Sequence, residues 1–234
     1  MLFFAHDYET TGVNARSCGV VQLAHCEVHL NEDGTYKILD SFKQLLNPGM
    51  PIPEGASKIH GIYDKDVARS PNYETFLSAV FEEFSAQEYL GVIGYNSKSY
   101  DDVIARRFGM PAAMPLDLYV AARRLKNKGL IGSAKLSSVY EQLLDEPAEN
   151  AHDAMADIIM TLDIIKPVMA LLEVSTVSEL ASQLNVAKVN KTMKMPYGKY
   201  KGKPLCNLPK SYLRWLRDNT DLTGDLKASI EAVL

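Results

Sequence analysis

The sequence predicts a mixed α/β sheet with helices packed on it, followed by a small basic appendage. Three observations lead there. The opening run Leu2-Phe3-Phe4-Ala5 is uniformly apolar, as in a strand buried on both faces. A long alternating segment then turns back on itself as a hairpin. Further along, short apolar strands alternate with segments of helical period, the pattern of an α/β layer architecture.

Residues 2–6 are the first strand. In GVVQLAHCEVHL, residues 19–30, Val20, Gln22, Ala24, Cys26, Val28 and Leu30 share one face, and Val21, Leu23, His25, Glu27 and His29 the other. Asn31-Glu32-Asp33-Gly34 is the turn, and a partner strand follows near 35–43. The Pro- and Gly-rich stretch 44–71 reads as a loop with little regular structure. Phe76, Leu77, Val80, Phe81 and Phe84 recur at helical spacing over 72–87, and YLGVIGYN is a fourth strand ending at Asn96. A helix over 100–108, a short strand at 115–118 and helices near 119–128 and 135–144 follow. A long helix is expected over 150–172, kinked or interrupted by Pro167.

The bulk numbers exclude several classes. A hydrophobic fraction of 47% and a charged fraction of 23% belong to an ordinary globular chain. No apolar run reaches the length of a membrane span, and Leu2–Ala5 is too short for a secretory leader. Cys18, Cys26 and Cys206 are few and scattered, which fits free thiols in a reducing, cytoplasmic setting. Charge is unevenly placed. Residues 1–179 carry 15 Lys+Arg against 25 Asp+Glu, residues 180–217 nine against none, and residues 218–234 one against four. The basic run is either a solvated linker or a surface that tracks phosphates.

Asp7 and Glu9 are two apart on a strand, so both carboxylates leave the same face and could grip one cation. An Asp-x-Glu alone says little. Its position after an apolar strand, where open α/β sheets gather ligands, says more. Asp101 and Asp102 follow the strand ending at Asn96, and His152, Asp153 and Asp157 open the long helix. Asp102 and Asp153 also suit a first helical turn, where acids complement the dipole. Asp153 and Asp157 share a helix face, whereas His152 joins Asp157 only if it sits ahead of the helix. Together the acids suit divalent cations such as Mg²⁺, which take oxygen ligands. Two such ions about 3.5–4 Å apart clamp the attacking and leaving oxygens of a displacement at phosphorus. A neutral histidine nearby can accept a proton from the attacking water. Without metal the crowded carboxylates should have raised pKa values.

HDYETTG, GYNSKSYDD and NAHDAMAD, in that order, resemble the three motifs of the DEDDh branch of 3′→5′ exonucleases, exonuclease I above all. The interval of five from Asn96 to Asp101 and the stretch SKIHGIYDKDV are similar too, and the resemblance covers roughly residues 1–165. It implies a ribonuclease H-like fold with a mixed five-stranded sheet flanked by helices. It implies Asp7, Glu9, Asp101 and Asp157 as ligands of two Mg²⁺ or Mn²⁺ ions and His152 as general base. Thr10, Thr11, Gly12 and Asn96 would border the substrate, and Asp102 and Asp153 would be supporting groups or bystanders. His6 and Tyr8 point to the opposite strand face and receive no catalytic role.

MPYGKYKGKPLCNLPKSYLRWLRDN resembles the C-terminal segment of exonuclease X. Its Lys199, Lys201 and Lys203 interleave with Tyr197, Tyr200 and Tyr212, a pattern for holding phosphates and stacking bases. The alternative is a mini-core of Leu213, Trp215 and Leu216 beneath solvated lysines. Arg123, Arg124, Lys126 and Lys128 are further candidates for holding the strand. The implied organisation is an exonuclease domain at 1–174, a linker at 175–194 and a nucleic-acid-binding segment at 195–234. The expected activity is 3′→5′ hydrolysis of DNA, single-stranded or at duplex ends, to nucleoside 5′-monophosphates. An exoribonuclease of the same fold and a non-catalytic nucleic-acid-binding protein are the rival readings. An HD-type phosphohydrolase built on His152-Asp153 would need metal histidines that His6, His25, His29 and His60 do not supply.

Overall fold

The computed structural model describes all residues except 112, 151, 187, 188, 221 and 223. The chain divides into two compact units, Met1–Leu184 and Asn185–Leu234. The first is built on β1 (Leu2–Thr10), β2 (Val20–Leu30), β3 (Tyr36–Leu45), α1 (Glu54–His60), α2 (Asp64–Val67), α3 (Tyr73–Ser85), β4 (Gly91–Gly94), α4 (Asp101–Arg107), β5 (Met114–Asp117), α5 (Leu118–Asn127), α6 (Leu136–Leu144), α7 (Ala154–Asp163), α8 (Ile165–Leu172) and α9 (Val177–Asn185). The five strands form one sheet in the order β3-β2-β1-β4-β5. β1 pairs antiparallel with β2 and parallel with β4, and β5 is parallel to β4, so the sheet is mixed.

β1 is central and buried on both sides. Phe3 and Ala5 face a core shared with α5, α7, α8 and α9. Phe4 and Tyr8 face a second core with α3 and α4. The strand runs to Thr10, four residues beyond the expected 2–6, because β2 supplies ladder partners as far as Val20. Asp7 and Glu9 therefore lie inside the strand, opposite Ala24 and Gln22. Apolarity alone underestimates a strand whose polar end is paired.

The segment 44–71 departs from expectation, since α1 and α2 lie in it. Its prolines and glycines punctuate helices and do not abolish them. Pro53 precedes the first turn of α1, and Gly61 ends it at φ 74°, where a side chain would be strained. The Asp66 carboxylate accepts the Tyr63 N–H at 2.9 Å and caps α2.

The expected long helix is two. Asp153 caps α7 by accepting the Met155 and Ala156 N–H groups, both at 3.2 Å, and the helix ends at Asp163. α8 restarts at Ile165, which puts Pro167 in a first turn where its missing N–H is not needed. The interruption thus falls three residues before the proline. Ala151, in the expected helix start, lies outside the described residues.

The stretch 175–194, expected as a linker, contains α9. Its Val177, Leu180, Ala181 and Leu184 are buried in the first core, so the first unit extends to Leu184. Ala187 and Lys188 of that stretch lie outside the described residues. Leu180→Ala is expected to destabilise this unit by about 2–5 kcal/mol, read as a lower denaturant midpoint. A solvated linker would give no change.

The second unit has its own core of Met195, Leu205, Leu208, Leu213, Leu216, Leu222 and Ile230. It carries α10 (Lys210–Asn219) and α11 (Gly224–Val233). Trp215 is not in that core and stands 54% exposed. It stacks on Tyr212 at 6.2 Å, and Tyr200 meets Tyr212 edge-on at 4.7 Å. Among the described residues, no helix is long and apolar enough to cross a membrane.

Candidate active site

Asp7 and Glu9 project from the β1 face that α7 covers, and the first turn of α7 brings Asp157 to meet them. Carboxylate oxygens of Asp7, Glu9 and Asp157 lie within 4.8 Å of one another. Oxygens on opposite sides of one Mg²⁺ sit about 4.2 Å apart, so these three carboxylates are spaced as residues that could hold one ion. The donor set is all oxygen, as hard divalent cations require. Asp101, at the start of α4, is outside this triad but is the charged neighbour that acts most strongly on Asp7.

The electrostatics are those of a site built for positive charge. Burial pushes the Asp7 carboxyl well above its usual range, and repulsion from Asp101, Asp157 and Glu9 adds to it. Burial, then Asp157 and Asp153, push Glu9 up to about 8. Asp101 is raised by burial and by Asp102. Asp157 is raised by burial, while the His152 backbone and ring oppose the shift.

His152 sits ahead of α7, at φ 71°, and its backbone N–H is 3.4 Å from Asp157 Oδ1. That position lets His152 and Asp157 reach one cleft although they are five apart in sequence. A cavity of about 280 Å³ next to the acids is lined by Asn96, Tyr119, Lys135, Ser137, His152 and Asp157 among others. Asn96 takes a left-handed conformation at φ 65° at the end of β4. Asp117 holds this corner by accepting the Asn96, Lys98 and Tyr119 N–H groups at 2.8, 3.2 and 3.0 Å.

The loop after β1 uses its hydroxyls internally. Thr10 Oγ1 donates to the Gly12 carbonyl at 3.1 Å, and Thr11 Oγ1 accepts the Gly19 N–H at 2.9 Å. The Tyr100 hydroxyl also donates to the Gly12 carbonyl. These bonds commit both threonine side chains and the Gly12 carbonyl, and the Thr11 N–H donates to the Gly19 carbonyl at 2.9 Å, so the loop is held rigidly beside the acids.

On the other face of β1, His6 Nε2 is 3.1 Å from Asp102 Oδ1, with both side chains buried, and His6 Nδ1 is 3.1 Å from the Tyr8 hydroxyl. This contact ties the first turn of α4 to β1 and so fixes where Asp101 stands. Asp153 pairs with Lys43 at 2.9 Å besides capping α7. Asp102 and Asp153 are therefore positioning groups.

Three residues at or near the cleft receive no site role from the sequence. Lys135 precedes α6, Tyr119 lies on α5, and both line the cavity. His60 ends α1, and both Thr10 and His152 act on its ring. Its Nδ1 accepts the Ile62 N–H at 3.0 Å. His60 lies within SKIHGIYDKDV, a stretch that carries the family resemblance, whereas for Lys135 and Tyr119 the only signal is tertiary. Arg123 lies over the Tyr119 ring at 5.9 Å, whereas Arg124 is spent on the Gln183 carbonyl at 2.7 Å. Lys199, Lys201 and Lys203 belong to the second unit and are exposed on the loop that Gly198 and Gly202 turn at φ 73° and 82°.

The family described as "Exonuclease" matches residues 4–165, and the family described as "Putative quorum-sensing-regulated virulence factor" matches residues 185–234. No curated protein sequence matches the chain. Among solved structures it is similar to E. coli exonuclease I in complex with a dT13 oligonucleotide, at TM-score 0.67 and 17% identity over 97% of this chain and 64% of that one. It is similar to a second exonuclease I structure at TM-score 0.62 and 21% identity, over 78% of this chain and 42% of that one. Exonuclease X in complex with 5′ overhanging duplex DNA matches at TM-score 0.56 and 21% identity, over 78% of this chain and 98% of that one. The chain thus spans less than two thirds of the exonuclease I chains it matches. At these identities the likeness is one of fold, and the five-stranded mixed sheet flanked by helices is the ribonuclease H-like exonuclease fold. With the first of those family matches spanning most of its length, the chain belongs to the exonuclease family.

Proposed function

We propose that the protein is a 3′→5′ exodeoxyribonuclease that releases nucleoside 5′-monophosphates. The observation that carries this reading is the convergence of Asp7, Glu9 and Asp157 oxygens with His152 poised ahead of the same helix. Membership of the exonuclease family implies dependence on a divalent metal, and the all-carboxylate donor set fits it. Asp7, Glu9 and Asp157 would hold one Mg²⁺ or Mn²⁺, and Asp7 with Asp101 a second. Bound there, the ions supply neutralising charge to the phosphoryl oxygens and the leaving 3′-oxygen.

The chain's own groups do the rest. The His152 imidazole takes a proton from the water that attacks phosphorus. The backbone of Thr10, Thr11 and Gly12 and the Asn96 corner border the terminal nucleotide. DNA is preferred to RNA as substrate because the solved relatives include complexes with DNA oligonucleotides and with overhanging duplex DNA.

The test uses DNA and RNA labelled at the 5′ end, single-stranded and duplex, with Mg²⁺ or Mn²⁺. A ladder of shortening labelled fragments from DNA is expected, and none from Asp157→Ala. Immediate release of labelled mononucleotide would reverse the polarity, and faster loss of RNA would make the enzyme an exoribonuclease. Equal turnover by Asp157→Ala would remove the site.

Lys199, Lys201 and Lys203 are proposed to hold backbone phosphates. Replacing all three by alanine should weaken single-strand binding and reduce the log–log salt slope by roughly 2, at about 0.7 per phosphate contact. An unchanged slope would make them solvated surface charges.

A further inference from the structure

A second cavity, of about 410 Å³, opens on the sheet face opposite Asp7 and Glu9, between the β2–β3 hairpin and α3. Half of the residues lining it carry rings. Phe4 stacks on His25 at 5.0 Å, Phe42 stacks on Phe76 at 5.9 Å, and Phe84 stacks on Tyr89 at 4.6 Å. Phe42 is 37% exposed, so part of its ring is open to a ligand.

Three carboxylates join these rings: Glu27, Asp40 and Glu83. Glu27 and Asp40 stand directly opposite each other across β2 and β3, a like-charge pairing that costs stability in a sheet. The Tyr89 hydroxyl donates to Glu27. No lysine or arginine lines the cavity, and among the described residues none forms an ion pair with the three acids. The remaining basic-type side chain is His25, whose Nδ1 is buried without a hydrogen-bond partner. Burial lowers the pKa of this ring and favours its neutral form.

Aromatic faces with a rim of uncompensated carboxylates are a receptor for an organic cation. A guanidinium fits better than an ammonium. It is planar, is weakly hydrated and stacks on rings, and it binds carboxylates through two parallel N–H bonds. We propose that this cavity receives the arginine side chain of a partner polypeptide, held by the Glu27–Asp40 pair and Glu83 and stacked on the aromatic wall. The site is separate from the catalytic cleft and does not depend on the nuclease reading.

The experiment titrates the ¹⁵N-labelled full chain with acetyl-Gly-Arg-Gly-amide and follows backbone amide shifts. Saturable shifts at Glu27, Asp40, Phe42 and Ala79 are expected. The citrulline analogue, isosteric but neutral, should bind at least tenfold more weakly. So should the arginine peptide to the double variant Asp40→Asn/Glu83→Gln. Ala79→Trp fills the cavity without altering a carboxylate and should abolish the shifts. A circular-dichroism melt verifies that each variant folds. Absence of saturable shifts in the parent protein, equal binding of the citrulline peptide, or shifts that survive Ala79→Trp would overturn the proposal. Tighter binding of the matching lysine peptide would overturn the guanidinium assignment.

Discussion

Raising the pH of the metal-free protein from about 4.5 to about 8 is expected to lower its melting temperature, and Mg²⁺ is expected to restore it. Asp7, Glu9, Asp101 and Asp157 all have carboxyl pKa values raised by burial, with neighbouring carboxylates adding to the rise. For an acid raised in the folded state, the native protein binds more protons than the unfolded chain between the two pKa values. Stability therefore falls with rising pH across that window. For Glu9 the window runs from 4.5 to about 8. Below it both states are protonated and nothing is lost. Above it Glu9 is ionised in both states and its loss of stability is complete. Each tenfold difference in proton affinity between the folded and unfolded states corresponds to about 1.4 kcal/mol, and partial solvent access reduces the realised sum to a few kcal/mol. In a chain of this size that is on the order of 5–10 °C.

Divalent ions bind the ionised site, so their stabilising effect should be larger at pH 8 than at pH 5. Asp7→Asn separates the two roles. It removes a buried charge, so the metal-free variant should melt higher than the parent at pH 8. It also removes the carboxylate shared by both proposed ions, so Mg²⁺ should no longer raise its melting temperature and DNA hydrolysis should cease. Thermal melts followed by circular dichroism, at both pH values with and without Mg²⁺, measure this. A flat or rising pH profile in the metal-free parent would contradict the raised carboxyls. A variant that still gains stability from Mg²⁺ would contradict the ligand assignment.

What the sequence reveals of this molecule follows from which signals are local. Strand periodicity places β1, β2 and β3, because a hairpin's register is written in adjacent residues. It misses the end of β1, since Asp7 and Glu9 do not look like strand residues until β2 is laid beside them. Pro53 and Gly61 read as loop because the same residues that break helices also bound them. α9 reads as linker because its four buried side chains have no core to face until the sheet exists. The acids were visible as three separate motifs. Their convergence depends on α7 starting at Ala154 and not earlier, which leaves His152 outside the helix. The positioning role of His6 with Asp102 joins residues 96 positions apart, and no sequence period carries such a pair.

His152→Asn is expected to lower kcat for DNA hydrolysis by about 10²–10⁴-fold while leaving the Mg²⁺-dependent gain in melting temperature intact. The choice of asparagine follows from the backbone. His152 lies at φ 71°, a left-handed conformation that asparagine tolerates and alanine does not favour. Its main-chain N–H faces Asp157 Oδ1, so part of what this residue does is structural and needs no imidazole. Asparagine keeps that N–H and that φ and removes only the proton acceptor. A large fall in kcat with unchanged metal response therefore isolates proton transfer from site assembly. If kcat fell less than tenfold, the imidazole would not be the base. If the metal response vanished as well, His152 would be acting by holding Asp157 in place. His60 gives the internal comparison, since its ring also lies close to Thr10 and His152. In the proposed mechanism it takes no proton from water, and His60→Asn should retain most of kcat. A fall at His60 equal to that at His152 would move the base from the turn ahead of α7 to the end of α1.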